Sequence, residues 1–426
     1  KEGHGGLRDY HCILWVMKVC SYAPMDRGFP APLSAMDTEE LDKAVGFLLK
    51  VRFSLHEASG RKNDRLFFEY QEALASSLGY ESNGYETGAE LFMRHFHRSA
   101  LIVKSISDAV LSQYAFDYSL KRNTGERPIG KHFRLSTGRL SFTEPEKISE
   151  RPELLLDLFA HMSDIGSAMS SETRHQVRDT LELLALGRQN RDAKNAFIRI
   201  LTGNYPAMAL ISMQETGVLE SFLPEYEPIK GRTHFDVYHT YTTDLHSIMA
   251  VQELKSLEDH EQDVFARAAD KEVLYLAAFL HDIGKGYGRP HACTGAPIAH
   301  EIAAWLGFSD TRADQVAFLV RHHLLLPDTA DKRDLSEEKV VLDCAQTVRD
   351  PQALSMLYLL SIADSKATGP RAWNEWRATL LRELYLKTLH SLQRGILRDP
   401  RNMIVLEQTW SQLISRVPSE LSSRHG

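Results

Sequence analysis

The sequence predicts an all-α fold, in which a helical linker region is followed by a helical bundle, with one small β-hairpin. Apolar residues recur at helical spacing over most of the chain, as they do on one face of segment 41–53. Strand alternation occurs only at 131–142, where Thr137 and Gly138 supply turn chemistry between two short apolar runs. We therefore expect helices throughout and a single hairpin near 131–142.

Composition bounds the class of protein. The chain has 426 residues, 43% of them hydrophobic and 25% charged, which fits two or three ordinary globular domains. No run of about 18 uncharged apolar residues occurs, so no membrane span is expected. The net charge of −7 argues against DNA or other nucleic acid as a partner. The four cysteines show no CxxC spacing, which favours a reduced, cytoplasmic protein.

The helical elements follow in order along the chain. A glycine-rich start leads into an apolar segment at 13–17, and helical spacing returns at 41–53. A long amphipathic helix is expected at 88–118, before the hairpin. Helical patterns resume at 152 and continue as short helices up to Pro224.

One buried helix carries the strongest functional signal. Apolar residues fill 274–280, and the helix then ends on His281 and Asp282, followed by Gly284 and Lys285. An imidazole and a carboxylate side by side are costly to bury unless they have a partner, and a metal ion suits both. We expect Gly284 to supply the turn that follows the helix.

Two other apolar helices, at 316–320 and 353–363, also run into ligand-type residues. The sequence therefore predicts a shared metal centre. The predicted ligands of a first ion are His246, His281, Asp282 and Asp364; those of a second are His291 and His322 or His323, with Asp282 bridging. We take His322 as the ligand, and His323, Arg321 and His239 as substrate contacts.

The expected chemistry is metal-assisted phosphoryl transfer. One or two divalent ions (Mn, Mg, Fe or Zn) would stabilise an in-line displacement at phosphorus and lower the pKa of a bound water molecule. Asp282 would be the central catalytic ligand. Lys285 would neutralise charge that develops on the phosphate. A lone histidine can instead be a hydrogen-bonded structural residue, and this applies most to His239, His300 and His323.

The ordered set His246, His281-Asp282 and Asp364 resembles the HD superfamily of metal-dependent phosphohydrolases. A closer resemblance is to the bacterial PII uridylyltransferase/uridylyl-removing enzymes, and its motifs run nearly end to end in the family's order. The motifs are KEGxGGLRD at 1–9, SGRKxDRL at 59–66, HxYTxDxH at 239–246, HDIGKG at 281–286, VxHHLL at 320–325 and LLRELY at 380–385.

The resemblance implies a domain order. That family has a nucleotidyltransferase domain, a helical linker, an HD domain and two ACT domains. We therefore expect 1–120 to be the helical end of a nucleotidyltransferase domain and 121–233 a linker with the hairpin. Residues 234–395 would then be the HD domain, and 396–426 an extension towards ACT domains outside this sequence.

The resemblance also implies a function: the HD part would remove UMP from the PII nitrogen-signalling protein, to which the transferase part adds it. PII and UMP, or another nucleotide, are the expected partners. No Gly-Ser followed by an Asp-x-Asp pair precedes Lys1, so we expect the hydrolase site and no transferase site in this sequence. Alternatives are a phosphohydrolase of free nucleotides and a non-catalytic scaffold; the occupied ligand positions argue against the scaffold.

Overall fold

The computed structural model describes residues 3–22, 33, 35–84, 86–119, 125–232, 241–287, 290–369 and 372–394. Over these residues the protein is almost entirely helical with one small sheet, so the predicted all-α class is confirmed. Within the same ranges, no helix combines the length and the apolar character needed to cross a bilayer.

Four helices form the N-terminal part of the chain. They are α1 (Leu7–Ser21), α2 (Ala35–Ser59), α3 (Phe68–Ser77) and α4 (Gly88–Ser119). Helix α4 is the long amphipathic helix that the sequence predicts. Its apolar side packs on α1 and α2 around Val103 and on α2 and α3 around Phe92, and both side chains are fully buried.

A three-stranded antiparallel sheet follows, in the order β1 (Arg127–Ile129), β2 (Phe133–Ser136) and β3 (Arg139–Phe142). The predicted hairpin is β2–β3, and its turn residues Thr137 and Gly138 have φ of 53° and 79°, as a tight two-residue hairpin turn requires. The single hairpin is a correction, because β1 pairs with β2 as a third strand. Strand β1 has three residues including Pro128, too few to show an alternating pattern.

Short helices then lead to the metal-ligand region. They are α5 (Leu154–Ile165), α6 (Ser171–Asp179), α7 (Leu181–Gly187), α8 (Arg191–Thr202), α9 (Pro206–Thr216) and α10 (Val218–Phe222). Two 3₁₀ turns, Pro145–Ser149 and Pro224–Ile229, flank this group. The second turn connects α10 to the segment that precedes the bundle.

The C-terminal bundle contains nine helices in the part of the chain that the structure describes. They are α11 (Thr243–Leu257), α12 (Gln262–Ala268), α13 (Lys271–Leu280), α14 (His291–Leu306), α15 (Asp310–His322), α16 (Leu325–Lys332), α17 (Glu338–Val348), α18 (Pro351–Thr368) and α19 (Glu375–Gln393). One continuous hydrophobic core extends from Phe133 to Leu392, so the sheet, α5–α10 and the bundle share it. The domain boundary expected near 233 stays a prediction.

Helix α13 lies at the centre of the bundle, between α8, α11, α15 and α18. The Asp270 side chain caps its start by accepting a hydrogen bond from the Val273 amide at 3.1 Å. Every residue from 273 to 280 is buried. Burying each large apolar side chain contributes roughly 2 kcal/mol, so the packing of α13 fixes where His281 and Asp282 lie.

Candidate metal centre

Six of the predicted residues meet inside the bundle. His246 lies in α11, His281 and Asp282 directly follow α13, His291 begins α14, His323 directly follows α15, and Asp364 lies in α18. One expectation is corrected: α18 continues to Thr368, so Asp364 lies one turn inside the helix and not at its end.

The first group contains His246, His281 and Asp364. The Nε2 atom of His246 is 3.0 Å from Oδ1 of Asp364 and 3.1 Å from Nε2 of His281. The Nε2 atom of His281 is 3.5 Å from the same carboxylate oxygen. Both imidazoles are buried, and the Asp364 side chain is 16% exposed. Three ligand atoms therefore face one point.

The second group contains His291, His323 and Asp282. The two Nε2 atoms are 3.4 Å apart, and Oδ1 of Asp282 is 3.5 Å from that of His291 and 3.8 Å from that of His323. His323 is buried, whereas His291 is 25% exposed. This second group therefore lies nearer to solvent.

Asp282 joins the two groups. Its Oδ1 faces the second group, while its Oδ2 lies 3.6 Å from Nε2 of His246 and 3.5 Å from Nε2 of His281. The arrangement is that of a bridging carboxylate. The Nζ atom of Lys285 is 2.6 Å from Oδ2, so this cation holds the carboxylate in its orientation.

Backbone contacts fix the tautomers of two imidazoles. Nδ1 of His281 lies 2.8 Å from the carbonyl oxygen of Ala278, and Nδ1 of His323 lies 2.7 Å from that of Val320. A carbonyl oxygen only accepts, so each Nδ1 carries the proton and donates it. The Nε2 atoms then present lone pairs to the groups, as histidine ligands of metals commonly do.

This donor set fits divalent metal ions. The Nε2 atoms of His246 and His281 lie 3.1 Å apart, and the carboxylates of Asp282 and Asp364 beside them concentrate negative charge, which favours a bound cation. Imidazole and carboxylate ligands without thiolate suit Mn, Fe or Zn, and carboxylates also suit Mg. The residues predicted to hold a first ion thus have the positions and chemistry to do so.

The electrostatics of the two groups differ. Burial lowers the pKa of His281, but the carboxylates of Asp282 and Asp364 outweigh this and raise it to about 10. Burial opposes ionisation of Asp282, yet Lys285 and His281 hold its pKa well below the ordinary range. In the second group, burial lowers the pKa of His291 to about 4. Without a metal, a proton at neutral pH therefore resides in the first group and not in the second.

The choice of His322 as a ligand is corrected by the structure. His323 occupies the place beside Asp282 and His291, and the ring of His322 lies 4.6 Å from that of Phe318 on the outer side of α15. His322 and the exposed Arg321 line a surface depression between α15 and α16.

The remaining candidates have separate positions. The predicted contact of Arg321 with substrate stays a prediction. His239 lies outside the described residues. His300 is 3.3 Å from Asp314 at the surface of α14, away from both groups. Arg321 and His300 are not among the residues that the structure brings together.

A close contact that sequence reasoning missed positions His291. A Cβ on Gly284 would lie 1.9 Å from the His291 carbonyl oxygen and 2.6 Å from the Gly295 amide nitrogen. The 3₁₀ turn Ile283–Gly286 therefore packs directly on α14, which carries His291 towards Asp282. Gly284 lies in the turn that follows the helix, as predicted, but its φ is not positive, so a glycine is required there by this close approach.

Comparison with known families matches three segments. Residues 1–111 match the GlnD PII-uridylyltransferase model, residues 133–222 the uridylyltransferase GlnD third domain, and residues 243–349 the HD domain. The bifunctional uridylyltransferase/uridylyl-removing enzymes of Ruegeria pomeroyi and Rhodospirillum rubrum are 33% and 35% identical to this chain over 416 and 429 residues. The chain therefore contains segments similar to the GlnD uridylyltransferase family and to the HD domain. These matches cover 93% and 94% of the chain but 46% and 45% of the two relatives, so the chain spans less than half their length.

The HD-domain segment contains five of the six clustered residues. Asp364 lies beyond its matched end at 349, and α18 supplies it. The sixth ligand position is therefore set by how α18 packs against α11 and α13 in the shared core.

Proposed function

We propose that this chain is a metal-dependent phosphodiesterase that removes UMP from uridylylated PII. The observation that carries the proposal is Asp282, whose two carboxylate oxygens face two separate ligand groups. Such a pair of sites suits displacement at phosphorus. The relatives are bifunctional uridylyltransferase/uridylyl-removing enzymes, which suggests that the group removed is uridylyl. PII as partner and the cytoplasm as location belong to the same proposal.

The residues have separate tasks in this proposal. His246, His281 and Asp364 would hold one ion, His291 and His323 a second, and Asp282 both. A divalent ion bound there supplies Lewis-acid chemistry, polarising a phosphoryl oxygen and making the attacking water more acidic.

Access to the centre comes from its less buried members. Lys285 is 11% exposed, Asp364 16% and His291 25%, while His246, His281 and Asp282 are almost fully buried. A substrate phosphate would therefore approach along Lys285 and His291. Lys285 would attract it and stabilise negative charge as the P–O bond breaks. The buried residues exclude water from the far side.

The hydrolase proposal does not depend on the transferase. Residues 1–111 match the uridylyltransferase family, and the expected lack of a transferase active site stays a prediction. A hydrolysis assay on this chain needs no transferase activity, because uridylylated PII can be supplied as substrate.

The test is release of UMP from uridylylated PII with Mn²⁺ or Mg²⁺, compared with EDTA and with free nucleotides as substrates. We expect metal-dependent release from the protein and slower hydrolysis of free nucleotides. Turnover of free nucleotides alone would support the alternative phosphohydrolase. A folded, metal-loaded protein without hydrolysis of either substrate would support a non-catalytic scaffold and end the proposal.

A further inference from the structure

Tyr226 contacts both α11 and α13, which position His246 and His281 of the first ligand group. It belongs to the 3₁₀ turn Pro224–Ile229 and is fully buried. Its ring stacks on that of Phe279 in α13, with centroids 4.9 Å apart and an interplanar angle of 4°. Its hydroxyl donates a hydrogen bond of 2.6 Å to the carbonyl oxygen of Asp244 in α11. One side chain therefore contacts both helices.

Each of these contacts lies two residues before a ligand along the chain. Phe279 precedes His281 by two residues, and Asp244 precedes His246 by two residues. The ligands themselves are 3.1 Å apart at their Nε2 atoms. Two residues are about half a helical turn, so a change in the distance between α11 and α13 at Tyr226 would also change the distance between His246 and His281. A shift of one ångström is large against the tolerance of metal–ligand distances.

The turn that carries Tyr226 is itself held from outside the bundle. The Arg98 guanidinium in α4 is 2.7 Å from the Glu227 carboxylate and 3.4 Å from the Lys230 carbonyl oxygen. Gln214 in α9 donates a hydrogen bond to the Asp244 carboxylate, so α11 is fixed from that side as well. Burial raises the pKa of the Tyr226 phenol well above its ordinary value, which keeps the hydroxyl protonated and donating.

A second buried tyrosine allows the positioning role to be distinguished from ordinary core packing. Tyr275, in α13, is a fully buried tyrosine whose hydroxyl donates a 2.7 Å hydrogen bond to Glu258. It shares the burial and the buried hydrogen bond with Tyr226, but it lies six residues before His281. Tyr275 therefore provides a matched control for the loss of a buried hydroxyl.

We propose that Tyr226 is a positioning residue for the metal centre, fixing the spacing of α11 and α13 so that His246 and His281 converge on one ion. It acts on these ligands through Asp244 and Phe279. This inference rests on the metal centre of the proposed function. It assigns a role to a residue that lies between the segments matched to the third domain and to the HD domain.

The test compares Tyr226→Phe with Tyr275→Phe in the same chain. The first change removes the hydrogen bond to Asp244 and keeps the stack on Phe279. We expect Tyr226→Phe to weaken Co²⁺ binding by about tenfold or more, as losses of groups that orient metal ligands do. The visible Co²⁺ absorption bands should also shift. Tyr275→Phe should change Co²⁺ affinity less than about twofold, although both variants lose a buried hydrogen bond.

Activity provides a second measurement. For UMP release, Tyr226→Phe should lower kcat while leaving KM for uridylylated PII unchanged, because the protein-binding surface is untouched. If Tyr226→Phe does not fold, Phe279→Leu replaces it, since this change keeps the hydroxyl and removes the stack; the same loss of Co²⁺ affinity is expected.

The possible outcomes distinguish a failure of the positioning role from a failure of the proposed metal centre. A wild-type protein that binds no Co²⁺ overturns both the metal centre and the positioning role. A wild-type protein that binds Co²⁺, with Tyr226→Phe binding it equally well, overturns the positioning role alone. Equal losses of Co²⁺ affinity in Tyr226→Phe and Tyr275→Phe would show that any loss of a buried hydroxyl loosens the core. That result would overturn the positioning role too.

Discussion

Two adjacent histidines at the end of α15 differ in what they contact. His323 faces Asp282 and His291, and its Nδ1 is fixed by the Val320 carbonyl, whereas His322 packs on Phe318. We expect His323→Ala to weaken metal binding and UMP release by about tenfold or more. His322→Ala should keep nearly normal values of both. Calorimetric metal titration and the UMP assay measure the two, and the reverse ranking would remove His323 from the centre.

Sequence alone could not separate these two residues. Successive positions on a helix point about 100° apart, so only one of His322 and His323 can face inwards. Which one does so depends on how α15 packs against α13 and α14. His281 and Asp282 posed no such choice, because both directly follow a helix that is buried on every side.

Asp282 gives a second prediction at this scale. Asp282→Asn keeps the shape of the side chain but removes the charge that faces both groups, so UMP release should fall by roughly a thousandfold. Asp328→Asn, which changes an exposed carboxylate on α16, is the matched control and should leave the rate unchanged. Circular dichroism should show both variants folded. Near-normal turnover in Asp282→Asn would place the reaction elsewhere.

At the scale of the elements, the 3₁₀ turn Ile283–Gly286 and α14 pack so closely that no side chain fits between them at Gly284. Gly284→Ala would place a methyl group 1.9 Å from the His291 carbonyl oxygen, so the turn and α14 must separate. We expect a loss of about 1–3 kcal/mol of stability, together with weaker binding at the second group. Denaturant unfolding and metal titration measure these effects.

A glycine in an open environment is the control for that change. Gly46 in α2 has no atom within 4 Å of an added Cβ. Alanine is the better helix former, so Gly46→Ala should raise stability by up to about 1 kcal/mol. If Gly284→Ala were equally harmless, the close approach would not position His291.

Elements with a long apolar pattern were predictable, and those set by tertiary packing were not. Helices α4 and α13 follow from their own residues. Strand β1 does not, because its three residues gain their order from pairing with β2. The close approach at Gly284 could not be predicted either, since the sequence shows a glycine but not the α14 backbone packed against it.

At the scale of the whole molecule, the shared core connects the linker helices to the metal centre. Helix α13 contacts α8 as well as α11, α15 and α18. The sequence indicated two separate regions on either side of residue 233, and the continuity of the core could not be inferred from it. Metal binding should consequently stabilise α5–α10 together with the bundle, as one cooperative unit.

That stabilisation should depend on pH in a direction that the His281 environment determines. The folded-state pKa of His281 is raised from its ordinary 6.5 to about 10 by Asp282 and Asp364. In metal-free protein, this ion pairing stabilises the fold fully below about pH 6.5 and is lost as pH rises towards 10. A metal ion must displace the Nε2 proton of His281, so metal affinity rises over the same interval.

The gain in Tm on adding Mn²⁺ follows the metal affinity, so it should grow from about pH 6.5 to about pH 8.5. Calorimetric scans with Mn²⁺ and with EDTA at fixed protein concentration measure it. Titrations in two buffers of different ionisation enthalpy should show about one proton released per ion bound at the first group. The second group should release none, because the pKa of His291 is about 4. A gain in Tm that is constant or shrinks with rising pH would mean that His281 holds no proton for the metal to displace.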